Sequence, residues 1–364
     1  MSNDSQTQRA ASPARPPKGL TRGGLIYPHE RKPEPGEALE VAEGVRWVRM
    51  PLPFALNHIN LWLIDDGDDG WAVVDTGLRL RETQELWERI FGEVLDGRPV
   101  SRLIVTHLHP DHVGLAGWFT RKWNVELWMT RTDYLMCRVL SYDTGREAPE
   151  EGTSFYRAAG FSDAQLERYA KRFGMFGHGV DTMPDSYRRI RDGDTLFIGG
   201  RNWHVITGAG HAPEHATLYC PELALYLSGD QVLPTISSNV SVWPTEPHAD
   251  PLSEWLESGR RIKGAVPDDV LVLPAHQRPF RGLHMRLDQL IEGHEEGLVE
   301  LRKMLAEEPH RAVDVFPALF KRQVTDDLLI MATGESVAHL NTLLARGMAH
   351  RERDEHGVDW YSAT

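Results

Sequence analysis

The sequence predicts an α+β protein in which short buried strands are layered with helices, and three observations carry that prediction. Short apolar runs such as Leu103-Ile104-Val105 and Val270-Leu271-Val272-Leu273 are bounded by polar residues, as buried strands are. Each of five such runs is followed by a histidine or aspartate. Longer helical stretches lie between and after them, at residues 81–96, across much of 132–190, and from Leu287 to Leu305.

Taken in chain order, residues 1–43 hold Pro13, Pro16, Pro17, Pro28, Pro33 and Pro35 among polar residues. Such a segment cannot bury enough apolar area for a core of its own, and reads as a tail or an arm wrapping the domain or a partner subunit. Residues 44–284 form the main domain. Within it Arg46 to Met50 and Asn60 to Ile64 read as strands, joined to the next by a turn at Asp65-Asp66-Gly67-Asp68-Asp69-Gly70. The turn lacks the twelve-residue spacing and final glutamate of a calcium loop. A strand around Val125 to Met129 precedes the insertion at 132–190, whose aromatics either fill a small core or form a cap over an apolar pocket. Residues 285–364 are helical, with segments at Leu328 to Met331 and Glu335 to Ala345, and end in a hairpin across Asp354-Glu355-His356-Gly357.

The chemistry concentrates at Thr106-His107-Leu108-His109-Pro110-Asp111-His112, where three imidazoles and a carboxylate fall within six positions. A lone histidine on an apolar strand is usually a satisfied core residue, but this density is hard to explain as packing. Imidazole and carboxylate are ligands that divalent transition metals take. Side chains alternate on an extended chain, so His107 and His109 share one face, and Asp111 and His112 follow where Pro110 breaks the strand. One strand end can therefore serve two neighbouring ions. The other strand-like runs finish alike, with Asp75, His211, Asp230 and His276, and layered folds collect their sites at one end of the strands.

This ordered set, Asp75, His107-x-His109-x-Asp111-His112, His211, Asp230 and His276, resembles the metallo-β-lactamase superfamily over roughly residues 45–280. The resemblance implies an αββα sandwich. It implies one metal held by His107, His109 and His211, a second held by Asp111, His112 and His276, Asp230 bridging them, and Asp75 orienting the ligands. β-Lactamases proper carry cysteine in place of Asp230 or lack the bridging carboxylate. The chain is closer to the glyoxalase II, lactonase and lactamase-beta-2-like branches, and the end of the chain is similar to the winged-helix-like unit of the last. Flavodiiron proteins usually place a glutamate where His109 stands, so two zinc ions are expected, with iron or manganese as alternatives.

Composition narrows the partners. The chain has 364 residues, 41% hydrophobic and 26% charged, which fits a folded domain plus a smaller one. A net charge of −13 disfavours phosphate backbones, and residues 310–364 hold six Lys/Arg against eight Asp/Glu, unlike a DNA-reading module. Nucleic acid is thus not an expected partner, nor is a membrane, since no apolar run approaches the roughly 20 residues of a span. The C-terminal unit is expected to flank the active site or make a homodimer contact. Cys137 and Cys220 match no metal spacing, and their reduced state together with the absence of a signal-like apolar N-terminal segment fits the cytoplasm.

The function this predicts is hydrolysis. Two ions about 3.5–4 Å apart bring a shared water's pKa towards 7, and the hydroxide attacks a polarised carbonyl. No Gly-x-Ser-x-Gly elbow offers a protein nucleophile. Asp111 and Asp230 are the expected catalytic carboxylates, and His178 and His215 are candidates to meet the substrate and protonate its leaving group. The substrate is expected to be a small acyl compound cleaved at a thioester or lactone, and Arg188-Arg189-x-Arg191 could meet coenzyme A phosphates. A metal-dependent nuclease or phosphodiesterase, and an iron-dependent oxygenase on the same fold, are the alternatives.

Overall fold

The structure, a computed structural model, describes residues 20–364. It opens on a hairpin of β1 (Leu20–Arg22) and β2 (Leu25–Tyr27). A seven-stranded sheet follows in spatial order β3 (Ala38–Ala42), β4 (Val45–Pro51), β5 (His58–Asp65), β6 (Trp71–Val74), β7 (Val100–Ile104), β8 (Leu127–Met129) and β9 (Arg188–Arg189). It is antiparallel as far as β6 and parallel from there to β9. A five-stranded sheet has the order β10 (Thr195–Ile198), β11 (Arg201–Gly208), β12 (His215–Cys220), β13 (Leu225–Gly229) and β14 (Leu271–Pro274). Only its β13–β14 pair is parallel.

Strand alternation sorts the apolar side chains into three layers. Ala72 and Val74 of β6 and Trp62 and Ile64 of β5 point at the second sheet, where they meet Trp203, Leu218, Leu225 and Leu273. Trp71, Val73, Leu61 and Leu63 point the other way. They pack on α1 (Arg81–Glu93) through Trp87 and Ile90, with α2 (Pro110–Val113) and α3 (Ala116–Trp123) beyond it. The second sheet sends Tyr226 and Val272 outward against α7 (Pro251–Ala265) and α8 (Leu283–Glu307). Helices thus cover both outer faces, the αββα order. Burial of each large side chain in the central layer contributes about 2–3 kcal/mol.

The segment ahead of residue 44 differs from a free tail. Residues 1–19 lie outside the described residues, but Leu25 and Tyr27 are buried beside Phe280 and Leu283, and β3 is an edge strand of the large sheet. Alternating apolar residues let this proline-rich stretch borrow the domain's core rather than build one. In the turn after β5, Asp65 accepts from Arg98 at 2.7 Å and Asp66 from Ser101 at 2.7 Å and Arg102 at 2.9 Å, so these carboxylates serve the fold.

The insertion holds α4 (Arg131–Tyr142), α5 (Glu150–Ala158), α6 (Asp163–Arg172) and a 3-10 turn at Met175–Gly179. Tyr156, Phe161, Leu166 and Tyr169 pack on Leu329 and Phe316, so most of its aromatics fill a core shared with the C-terminal unit. That unit comprises α8, α9 (Phe316–Leu319), α10 (Leu329–Ala345) and the hairpin β15 (Ala349–Arg353)–β16 (Asp359–Ala363). The two short helical segments expected after residue 328 are one helix, α10. Gly334 allows this: a Cβ there would sit 2.8 Å from Ser241 Cβ, so the glycine is a packing residue and breaks nothing. Among the described residues no helix is long and apolar enough to cross a membrane.

Candidate metal centre

The parallel strand pairs of the two sheets open onto the same edge. In one, Val74 of β6 is level with Ile104 of β7, so Asp75 and Thr106 emerge side by side. In the other, Gly229 is level with Pro274, which brings out Asp230 beside His276. The β11–β12 loop adds His211, the loop after β7 adds His107 and His109, and α2 itself adds Asp111 and His112. Strand β7 stops at Ile104, so His107 and His109 meet through the loop's path rather than through strand alternation.

Two groups result. The Nε2 of His107 and Nδ1 of His109 lie 2.9 Å apart, and with His211 and Asp230 they place one ligand atom each within 4.8 Å of one another. Asp111, His112 and His276 form the second group. His276 Nε2 is 3.5 Å from Asp111 Oδ2 and 3.3 Å from Asp230 Oδ1. Asp230 Oδ2 lies 3.4 Å from His211 Nε2 and 3.6 Å from His112 Nε2, so this carboxylate faces both groups.

Hydrogen bonds set which nitrogen faces inward. His112 donates from Nδ1 to Asp75 Oδ2 at 2.8 Å, His211 from Nδ1 to the Asn239 carbonyl at 2.7 Å, and His276 from Nδ1 to the His58 carbonyl at 2.8 Å. Each turns Nδ1 to its outer partner and leaves Nε2 aimed at the cluster. Thr106 Oγ1 donates to Asp75 Oδ2 at 2.8 Å and lies 3.0 Å from His107 Nδ1, extending the same support. Asp75 also takes the Thr106 N–H at 2.8 Å, from a backbone with φ of 63°.

Electrostatics follows this geometry. Burial, with neighbouring imidazoles adding to it, holds His107 well below the ordinary histidine range, and burial with His211 does the same to His109. For His112 burial is outweighed by Asp75, Asp111 and Asp230, which push it well above that range. Burial opposes ionisation of Asp230 too, but His276 and His112 hold its carboxyl well below the usual value.

The donor set fits a pair of divalent ions. His112 Nε2, His211 Nε2 and Asp230 Oδ1 are buried without a hydrogen-bond partner, although buried polar groups are almost always paired. Imidazole nitrogens and carboxylate oxygens converging in this way suit zinc, and also iron, manganese or cobalt.

The candidate substrate histidines are placed otherwise. His215 is fully buried on β12, where its Nε2 accepts the Asp230 N–H at 3.0 Å and its ring stacks 4.5 Å from His107. Burial pushes it down to about 3. It is therefore a support beneath Asp230 and not a group exposed to substrate, a correction that arises because it begins a strand facing the core. His178 is exposed on the 3-10 turn, and no hydrogen bond or ring contact among those described joins it to the cluster. The arginines at 188–191 already have partners: Arg188 lies over the Trp128 ring, Arg189 faces Glu214 and Arg191 faces Asp194.

Sequence reasoning missed several supports. Asp133, buried at the start of α4, accepts the Leu108 N–H at 2.9 Å and the Glu214 N–H at 2.7 Å, and so pins together the two loops that carry His107–His112 and His211. Burial pushes it up to about 7. His58 accepts the Gln277 N–H at 2.8 Å besides lending its carbonyl to His276. An aspartate in the first turn of a helix was the available signal for Asp133; His58 and Asn239 gave none.

Two sheets between helices, with paired His/Asp groups at one strand edge, define a class of metal-dependent hydrolases. A family model described as the Metallo-beta-lactamase superfamily matches residues 56–276, and another, described as Metallo-beta-lactamase-like, C-terminal domain, matches residues 298–364. The chain belongs to the metallo-beta-lactamase superfamily. It is similar to a solved beta-lactamase domain protein from Burkholderia ambifaria, with 41% identity, a TM-score of 0.85, and coverage of 93% of this chain and 98% of that one. It is 24% identical to the probable metallo-hydrolase YqjP of Bacillus subtilis over 83% of this chain and 93% of that protein. The human acyl-coenzyme A thioesterase MBLAC2 is 25% identical over 53% of this chain and 64% of its own length.

Proposed function

We propose that the protein hydrolyses an ester-type bond, a thioester or a lactone, in a small acyl substrate at a centre of two zinc ions. The observation that carries this reading is the position of Asp230, whose two oxygens face both histidine groups at 3.3–3.6 Å. His107, His109 and His211 would hold one ion and Asp111, His112 and His276 the other, with Asp230 shared. Such ions, when bound, make a water nucleophilic near neutral pH and polarise a carbonyl.

The remaining chemistry belongs to the chain. Asp111 and Asp230 are the carboxylates that face the cluster, and in this reading Asp230 passes a proton from the attacking water to the leaving group. The Asp230 backbone N–H is held by His215 at 3.0 Å, which fixes where the carboxylate starts from. A cysteine nucleophile is not needed: both thiols are buried, and burial pushes Cys137 up to about 12. The likeness to an acyl-coenzyme A thioesterase supports an acyl substrate, and the net charge of −13 weighs against a nucleic acid.

A substrate panel tests this. Metal analysis should find about two zinc per chain, and acyl-thioesters or lactones should turn over, with activity lost in His109→Ala and Asp230→Ala while circular dichroism is unchanged. Cleavage of bis-p-nitrophenyl phosphate or single-stranded RNA with inert thioesters and lactones would overturn the ester reading. One iron per chain would overturn the hydrolytic one.

A further inference from the structure

The loop after Asp230, residues 231–242, is carried by the C-terminal helices. Arg286 of α8 donates to the Leu233 carbonyl at 2.6 Å and to the Ile236 carbonyl at 2.9 Å. Ser237 Oγ meets His294 Nε2 of the same helix at 2.9 Å. On α10, Gly334 accepts the Val242 N–H at 3.0 Å. Between these anchors, Asn239 Nδ2 donates to Glu335 Oε2 of α10 at 2.9 Å, and the Asn239 carbonyl is the acceptor for His211 Nδ1 at 2.7 Å.

We propose that Glu335 is a positioning residue for the metal centre: by holding the Asn239 amide it fixes the carbonyl that aims His211. The proposal rests on the reading of His211 as a metal ligand. It makes the C-terminal unit part of the centre's scaffold, reaching the ligand through one residue. Asn239 is suited to the task because its side chain and its backbone face different partners: its Oδ1 also accepts from Ser241 Oγ at 2.7 Å, so its amide plane is held from both ends. Without the glutamate, the amide keeps only its Ser241 contact, and the carbonyl that aims His211 is held less firmly. Outer supports of this kind commonly matter about 10–100-fold in metal affinity.

The test is a titration of the full-length protein, stripped with a chelator and reloaded with Co2+, followed by visible absorption and by equilibrium dialysis. Glu335→Ala should weaken one of two Co2+ equivalents about 10–100-fold and alter the absorption band of that ion. Asn239→Ala should do the same, and the double variant should be no worse than either single one, as members of one chain of contacts behave. Glu335→Gln, whose Oε1 can accept from Asn239, should bind like the wild type. A wild-type titration for Glu335→Ala, or Glu335→Gln as damaging as Glu335→Ala, overturns the proposal. If Glu335→Ala does not fold, Asn239→Ala and Glu335→Gln decide it by the same criteria. His211→Ala separates the two readings: if it keeps both Co2+ equivalents, His211 is no ligand, whereas its loss of one beside an unaffected Asn239→Ala sinks the positioning role alone.

Discussion

The ring nitrogen Nε2 of His215 takes the backbone N–H of Asp230 at 3.0 Å. Burial holds this imidazole neutral, and its other face stacks on His107. A buried acceptor that fixes one ligand and packs on another acts through position. His215→Leu should therefore lower kcat about 10–100-fold with a KM close to that of the wild type. It should also lower stability by about 1–3 kcal/mol, because the Asp230 N–H is left unpaired. Were His215 the acid that protonates the leaving group, the variant would instead lose the basic limb of its pH–rate profile. Steady-state kinetics across pH, with urea unfolding, distinguish the two.

What the sequence made legible and what it hid have a common physical cause. His107, His109, Asp111 and His112 stand within six consecutive positions, and Asp75, Asp230 and His276 each follow an apolar run, so local pattern located them. The groups that aim them are remote in sequence and largely anonymous. His211 is held by the carbonyl of Asn239 and His276 by the carbonyl of His58, and every residue type carries a carbonyl. No side-chain pattern can mark such a partner. The same holds for Gly334, which lies between the two segments expected as separate helices and whose place is set by the approach of the distant Ser241. The strands and helices were legible because alternation and helical period are local, and their sandwich order was implied by the family resemblance, whereas the docking of residues 20–43 depended on a core that the distant Phe280 and Leu283 provide.

Asp75 couples backbone strain to ligand support. Its φ of 63° is one that asparagine and aspartate tolerate best among non-glycine residues. Asp75→Asn should thus keep the turn yet lose the charge-assisted bond from His112 Nδ1. The expected result is a fall from about two metal ions per chain to about one after dialysis against weak chelator, since His112 belongs to the second group. Asp75→Ala should lose the same ion and add backbone strain of about 1 kcal/mol or more. Elemental analysis beside a melting curve checks both.

Glu335 should leave a mark on the pH dependence of stability. Burial pushes its carboxyl up to about 7, whereas an unfolded chain titrates it near about 4.3. Between those values the folded state binds more protons than the unfolded state, so this group's contribution falls as pH rises through the window and is lost above the folded value. Gln cannot ionise. The stability of Glu335→Gln relative to wild type should therefore climb from pH 5 to pH 8, by about 1–3 kcal/mol. Urea unfolding of the metal-loaded proteins at several pH values measures it. A constant difference across that range would show that Glu335 ionises normally in the fold.

Gly334 offers a case in which helix propensity and packing oppose each other. Replacing a mid-helix glycine by alanine ordinarily gains up to about 1 kcal/mol. Here the new methyl group would meet Ser241 Cβ and Oγ at 2.8 Å and the Val242 carbonyl at 3.0 Å. Those atoms belong to the loop that Glu335 and the Asn239 amide hold, and Val242 donates its N–H to Gly334 itself. Overpacking at such contacts costs about 1–3 kcal/mol, so the clash outweighs the propensity. Gly334→Ala should lower the melting temperature, and because the loop must shift to admit the methyl group, it should weaken metal binding as well. Gly264→Ala in α7, where nothing lies within 4 Å of the added carbon, should raise the melting temperature or leave it unchanged. If both variants gained stability alike, the close seam between α10 and residues 241–242 would not exist as described.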